Sequence, residues 1–252
     1  MVSRLLVRGM LVGAVAGLLC FGFLKLFGEP QIDRAIAFET QMDEAKAAEH
    51  KAMGMDMSKD EYPEIVSREV QAGIGLFTGV IVYSTAFGGL FALAFAFAYG
   101  RAPGASTPRG LAALLALTGF IAVYLVPILK YPANPPSVGE PETIGLRTAL
   151  YLTMIAVSLA GMVAAVSLKR GLVARLGEWN ATLAAAAAYI MLMVIAALLL
   201  PTINEVPDQF PALVLWKFRT ASIGAQLIMW TTIGLLFGAL TQRASANGRW
   251  LS

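Results

Sequence analysis

Residues 111–129 read LAALLALTGFIAVYLVPIL, an unbroken run of 19 residues without a charged side chain. A hydrocarbon core about 30 Å thick is crossed by roughly 20 mostly apolar residues in a helix that rises about 1.5 Å per residue. A helix of a soluble protein would instead place polar residues between the apolar ones at a helical period. The run is therefore predicted to be a membrane-spanning helix.

Runs of the same kind recur along the whole chain. Of its 252 residues, 58% are hydrophobic and 14% are charged, whereas a soluble domain carries about 25% charged residues. Six segments are apolar and long enough to span a bilayer: Leu5 to Phe27, Gln71 to Tyr99, Leu111 to Leu129, Thr148 to Leu168, Ala181 to Leu200 and Ala221 to Leu240. The pattern predicts an all-α polytopic protein in which residues 1–252 form a single integral membrane domain of about six transmembrane helices.

The distribution of charge favours one orientation. If the N-terminus lies on the inner side, the inner segments carry nine basic residues and one acid, and the outer segments carry ten basic residues and fifteen acids. The inner basic residues crowd into short connections, as cytoplasmic loops require, whereas most outer ones are spread along residues 28–70. We therefore expect both termini inside the cell. Residues 28–70 would form an acidic, methionine-containing outer loop, in which Asp33 to Met53 has the composition of a surface helix.

The predicted spans pair into three hairpins, and the outer connections of the last two are similar. One begins PILKYPANPP at residues 127–136 and leads to Arg147; the other begins PTINEVP at residues 201–207 and leads to Arg219. Parallel repeats of this kind occur among transporters. A chance likeness stays open, because prolines end helices and basic residues flank spans in many membrane proteins.

Several function classes are disfavoured by missing motifs. The chain has no G-x-x-x-x-G-K-[ST], G-x-S-x-G, H-E-x-x-H or C-x-x-C sequence, so we do not expect an enzyme. Its basic residues flank spans and form no stripe with interleaved aromatic residues, so we expect no nucleic-acid partner. Membrane lipid is the expected surrounding.

A group of candidate metal ligands lies within the outer loop. Methionine sulfur suits Cu(I), whereas imidazole and carboxylate groups suit Co(II), Ni(II) or Zn(II), so this mixture does not choose one metal. A hydrated loop that binds no metal is the alternative. The candidate ligands are Glu49, His50, Met53, Met55, Asp56 and Met57.

Polar and charged residues gather at the outer ends of the third and fifth spans, among prolines that stiffen the chain. Two rigid polar connections on one side of the membrane predict an entrance vestibule for a solute. The alternative is that these residues only end helices and anchor them at the interface. The vestibule candidates are Lys130, Tyr131, Asn134, Arg147, Asn204, Glu205, Trp216 and Arg219.

Short motifs along nearly the whole chain resemble the CbtA family of probable cobalt transporter subunits. These motifs are FGEP at 27–30, DRAIAFE at 33–39, KYPANPP at 130–136, NEVP at 204–207, Phe210-Pro211 and Trp216. The resemblance adds Glu29, Asp33 and Arg34 to the predicted entrance. The family is often described with five spans, where this sequence predicts six.

The resemblance implies a multi-pass protein of the bacterial inner membrane that takes up Co(II) for cobalamin synthesis. It also implies a small one-span partner subunit of the CbtB type and no permanently bound cofactor. Relatives often carry a histidine-rich stretch in the first outer loop, whereas this chain has only His50 there. Transport of copper or nickel therefore stays open, as do a homo-oligomer and a non-conducting subunit that captures metal or docks a partner.

Overall fold

A computed structural model describes residues 2–53, 66–101 and 107–247, and all regular secondary structure in these ranges is helical. The all-α prediction is therefore confirmed for the described residues. A 3-10 turn at Pro141–Thr143 precedes the fifth helix. The helices are α1 (Val2–Phe27), α2 (Glu29–Ala52), α3 (Arg68–Ala98), α4 (Pro108–Lys130), α5 (Ile144–Leu199) and α6 (Ala212–Ala246).

Five of these helices, all but α2, are long and apolar enough to cross a membrane. The expected number was six, and the difference lies in α5, which contains both the fourth and the fifth predicted spans. At Gly177 the backbone leaves the helical region, with φ 73° and ψ 167°. This conformation is open to glycine and strained for other residues, so the chain can turn sharply there.

The two arms of α5, residues 144–176 and 178–199, fold back on each other. Near the turn, Lys169 Nζ lies 3.0 Å from Glu178 Oε2. Farther along, the hydroxyl oxygens of Ser158 and Tyr189 are 2.7 Å apart in a buried position. From the first pair to the second, the residue number falls in the first arm and rises in the second, so the two arms are antiparallel.

Helices α1 and α3 approach each other through small residues. A Cβ atom added at Gly9 would lie 2.3 Å from the carbonyl oxygen of Gly88, and one added at Gly13 would lie 2.2 Å from that of Ser84. Side chains at these glycines would therefore force the helices apart. Close backbone contact of this kind stabilises helix pairs in membranes, where no hydrophobic effect holds them together.

Helix α6 packs between α1 and α4, and aromatic rings fill the space around it. Trp230 of α6 meets Phe87 edge-on, with ring centroids 4.9 Å apart, and Phe237 meets both Phe91 and Phe95 in the same way. Helix α5 packs against the last two turns of α4. We call the end of the bundle that holds α2 the outer end. The outer ends of α4, α5 and α6 therefore lie around one common space.

Much of the predicted outer loop is helical. Helix α2 starts at Glu29, earlier than the expected Asp33, because Pro30 is tolerated in the first turn, where backbone N–H groups need no helical partner. Its Phe38 ring meets Phe210 at 5.1 Å, and Ala35 is buried beside Val138. The helix therefore lies across both the α4–α5 and α5–α6 connections.

Candidate functional site

A cavity of about 900 Å³ opens at the outer end between α4, α5 and α6. Its lining includes Tyr124 and Ser222, whose hydroxyl oxygens are 2.8 Å apart. Of the eleven predicted entrance residues, the cavity brings together seven: Lys130, Tyr131, Asn134, Arg147, Asn204, Glu205 and Arg219.

Proline and glycine shape the walls of this cavity. Helix α4 ends at Lys130, shortly before the first proline of the segment PANPP at residues 132–136, which cannot continue a helix. The α4–α5 connection then turns through Ser137 and Gly139, which both have positive φ, at 69° and 118°. The segment between α5 and α6 contains Pro201, Pro207 and Pro211 and has no regular secondary structure. Both connections are therefore stiff and hold their polar side chains in fixed places.

The carboxylate of Glu205 joins the two connections. Its Oε2 accepts hydrogen bonds from the backbone N–H of Glu140 at 2.9 Å and from Thr143 Oγ1 at 3.0 Å, and lies 3.4 Å from Arg147 Nε. The Glu140 N–H, the Thr143 hydroxyl and the Arg147 charge together lower the pKa of Glu205 below its ordinary value. Glu205 is therefore ionised at neutral pH and already committed to internal partners.

Further hydrogen bonds join the same elements. Arg219 of α6 donates from Nε to the Ala133 carbonyl oxygen at 3.2 Å and from Nη2 to Asn134 Oδ1 at 2.8 Å. Lys130 Nζ donates to Thr202 Oγ1 at 2.8 Å. The basic groups of Lys130 and Arg219 therefore lie against neutral oxygens, in contrast to Arg147.

The cavity wall carries more positive than negative charge. Its lining contains three basic residues, Lys130, Arg147 and Arg219, and one acid, Glu205. The acid neutralises Arg147, to which it is paired. Like charges repel strongly when little water separates them, so this wall opposes a bare dication.

Four predicted entrance residues do not line the cavity. Arg68 Nη2 contacts Glu29 Oε2 and lies 2.9 Å from Asp33 Oδ1, so this cluster ties the start of α2 to the start of α3. Arg34 donates to Gln31 Oε1 at 2.8 Å. Trp216 is 66% exposed on α6. Residues of the two connections therefore meet in one cavity, and their role as an entrance stays a prediction.

The predicted metal cluster lies only partly in the described chain. Glu49 and His50 belong to the last turn of α2, and Met53 follows directly. Among the described residues, no three His, Cys, Asp or Glu side chains are grouped so that they could hold a metal ion. Met55, Asp56 and Met57 fall outside the described residues, and the metal site therefore stays a prediction.

Sequence reasoning missed part of the cavity lining, including Tyr124, Thr202 and Ser222. For Ser222, the spacing along the sequence could have indicated a place in the lining. Ser222 follows Arg219 by three residues on α6, and residues three apart share a helix face. Tyr124 lies in a π-helical turn at Phe120–Leu125, and such turns are frequent at functional sites.

The interior of the bundle is closely packed below this cavity. The buried Cys20 thiol donates to the Ala225 carbonyl oxygen at 3.2 Å, and the Ser84 hydroxyl donates to Met229 Sδ at 3.8 Å. These polar atoms already have internal partners.

A second cavity, of about 690 Å³, lies between the inner ends of α1 and α6. Its lining includes three arginines, Arg4, Arg8 and Arg243, and no acid. Arg8 Nη1 donates to Thr241 Oγ1 at 3.3 Å.

No curated protein and no solved structure matches the chain. A family model described as "Probable cobalt transporter subunit (CbtA)" matches residues 2–242. The match covers nearly all of the sequence, including helices α1 to α5 and most of α6. The chain therefore belongs to the CbtA family of probable cobalt transporter subunits.

Proposed function

We propose that this chain is the membrane subunit of a Co(II) uptake system and that its substrate enters through the outer cavity. The observation that carries the proposal is the cavity of about 900 Å³ formed by the two proline-rich connections. Its size falls within the roughly 300–1,000 Å³ of ordinary small-molecule sites. The family description supports cobalt as the metal and a subunit as the role.

Helix α2 supports a role in gathering cations. It packs across the connections that form the cavity, and most of its acids are exposed. Acidic groups concentrated on one surface raise the local concentration of cations, above all of divalent ones. The acids of α2 are Glu29, Asp33, Glu39, Asp43, Glu44 and Glu49.

The proposed topology has six crossings with both termini inside. Each arm of α5 is long enough to cross the bilayer, and the turn at Gly177 would then lie on the inner side, close to Lys169, Arg170 and Arg175. The similar roles of Arg147 and Arg219, which both donate to the α4–α5 connection, support the idea of repeated hairpins.

In this orientation the membrane potential favours inward movement of a dication. Each charge gains about 2.3 kcal/mol per 100 mV, so two charges gain about 4.6 kcal/mol, which corresponds to roughly a thousandfold accumulation at equilibrium. The proposal places the protein in the bacterial inner membrane, beside a CbtB-type partner or in a homo-oligomer, with cobalamin synthesis as the use of the metal.

A second candidate function is a non-conducting subunit that captures metal or docks a partner. Buried acids usually mark ion pathways in membranes, and the apolar parts of the spans contain none. The polar atoms of Cys20 and Ser84 are occupied by internal hydrogen bonds. Copper or nickel would suit either candidate as well as cobalt.

Uptake of labelled Co(II) by proteoliposomes under an imposed potential separates these candidates. The proposal predicts uptake that depends on the potential and falls in Glu205→Gln, while the exposed Asp208→Asn on the same connection leaves it unchanged. Metal binding without uptake, with or without a one-span partner, would support capture instead. Equal uptake by the two variants would remove the cavity from the pathway.

A further inference from the structure

The positive charges of Lys130 and Arg219 are not neutralised by an acid in the lining of the outer cavity. In the part of the chain that the structure describes, neither Lys130 nor Arg219 forms an ion pair. Their partners are uncharged: a hydroxyl, a carbonyl and an amide oxygen, and the Tyr131 ring, whose centroid lies 5.8 Å from Lys130 Nζ. The acid in the lining, Glu205, is held by Glu140, Thr143 and Arg147 and does not neutralise them.

Both basic groups keep hydrogen-bond donors that their protein partners do not use. An arginine side chain has five N–H donors, of which Arg219 uses two for Ala133 and Asn134. An ammonium group has three, and one of those of Lys130 points to Thr202. The hydroxyl groups of Tyr124 and Ser222 belong to the same lining. A ligand in the cavity therefore meets donors of positive charge and neutral hydroxyl groups.

Such a lining selects for negatively charged oxygen. Hydrogen bonds from arginine or lysine to carboxylate or phosphate are roughly twice as strong as those between neutral groups. Positive charges at the outer end are also against the trend of that side, where acids outnumber basic residues. Lys130 is the last residue of α4 and Arg219 lies in α6, and both line the cavity, where a ligand can reach them.

We infer that the outer cavity binds an oxyanion, a carboxylate or phosphate group, through Lys130 and Arg219. The inference rests on the proposed function for its consequence: a metal that arrives at the cavity as a complex with an anionic carboxylate ligand escapes the repulsion that a bare dication meets there. The membrane potential then acts on the dication only after the ligand has left it. The same chemistry is offered by a soluble carboxylate or phosphate and by the headgroup of an anionic lipid.

Calorimetric titration of the whole purified protein tests the soluble source. The protein is held in nanodiscs of phosphatidylcholine alone and titrated with citrate alone and with inorganic phosphate alone. We expect saturable binding that weakens with salt and falls about tenfold in Lys130→Gln and in Arg219→Gln. The matched control is Lys217→Gln, which removes an exposed lysine of α6 that does not line the cavity.

A second arm tests the lipid source. Phosphatidylglycerol is added to the nanodiscs, and the lipids retained by the protein are counted by native mass spectrometry for the original chain and the same variants. Retention of phosphatidylglycerol that depends on Lys130 and Arg219, without binding of citrate or phosphate, assigns the oxyanion to a headgroup. If the soluble anions bind, the oxyanion is assigned to a soluble ligand, whether or not the lipid displaces it.

The inference is overturned if neither soluble anions nor phosphatidylglycerol bind in a way that depends on these two residues. Arg219→Lys guards against a folding artefact, since it keeps the charge and should retain most of the binding. Uptake and binding are also separable outcomes. Anion binding without Co(II) uptake supports the inference and contradicts transport. Co(II) uptake without anion binding supports transport and contradicts the inference.

Discussion

The cavities at the two ends of the bundle are both lined by basic side chains, yet their surroundings differ. The inner cavity lies between helix ends and includes Arg4, Arg8 and Arg243. The outer cavity is enclosed by two stiff connections and includes Lys130 and Arg219. In the proposed orientation, membrane insertion alone explains basic residues at the inner end. It does not explain them on the side where acids predominate, and this difference makes the outer cavity the better candidate for ligand binding.

The largest expected effect is a loss of anion binding by the outer cavity. The double variant Lys130→Gln/Arg219→Gln removes both unpaired positive charges and should weaken citrate binding about a hundredfold, if the two effects add. Calorimetry on the nanodisc-held protein measures the change. An affinity within about threefold of the original would show that these charges do not form the site.

A smaller change sharpens the comparison by making the outer cavity more positive. Glu205→Gln leaves Arg147 without its carboxylate partner, so anion affinity should rise several-fold while the thermal unfolding midpoint falls, because three contacts across the connections are weakened. Titration and a thermal scan give the two values. Unchanged anion affinity would mean that the Arg147 charge does not attract an anion in the cavity.

The outer connections should also respond to acid in a defined way. The folded state lowers the pKa of Glu205 from its ordinary value of 4.5, chiefly through the Glu140 N–H. The stabilising contribution is therefore complete above the ordinary value and is lost as pH falls through the lower folded value. The protection factor for hydrogen exchange of the Glu140 amide, which is the exchange rate of an unfolded peptide divided by that of the protein at the same pH, should stay high at pH 5 and fall only below the ordinary value. A fall already between pH 6 and 5 would contradict the assigned contacts.

The smallest expected effect concerns the inner cavity. Arg8→Gln removes the contact to Thr241 but leaves other basic residues at the inner end. We expect unchanged citrate binding and no change of topology, measured by calorimetry and by labelling from each side. A loss of citrate binding comparable to that of Arg219→Gln would erase the distinction between the two cavities.

The sequence predicted the apolar spans well because continuous hydrophobicity is a local property. The run from Leu111 to Leu129 lies within α4, for example, whose observed bounds are Pro108–Lys130. The turn inside α5 was less visible. Lys169, Arg170 and Arg175 suggested a loop, but these residues are good helix formers, and only Gly177 departs from helical geometry.

The candidate site was predictable where it depends on local chemistry and not where it depends on packing. Prolines marked the two connections, and the charged residues near them do meet in one cavity. The grouping of Glu29 and Asp33 with that cavity did not hold, because Arg68, distant in sequence, draws them to the start of α3. Tyr124 and Ser222 were missed because they lie within apolar spans.

The central claim is that the outer cavity faces the outside of the cell and binds the substrate, and labelling of a cysteine at position 204 tests it most directly. Asn204 is exposed and lines this cavity. Replacing the buried Cys20 leaves the introduced cysteine as the single thiol. In Cys20→Ser/Asn204→Cys, a membrane-impermeant maleimide added to intact spheroplasts should react, and cobalt(II) citrate should protect the thiol from it. Reaction only in inverted vesicles would contradict the orientation, and external reaction without protection would contradict substrate binding in this cavity.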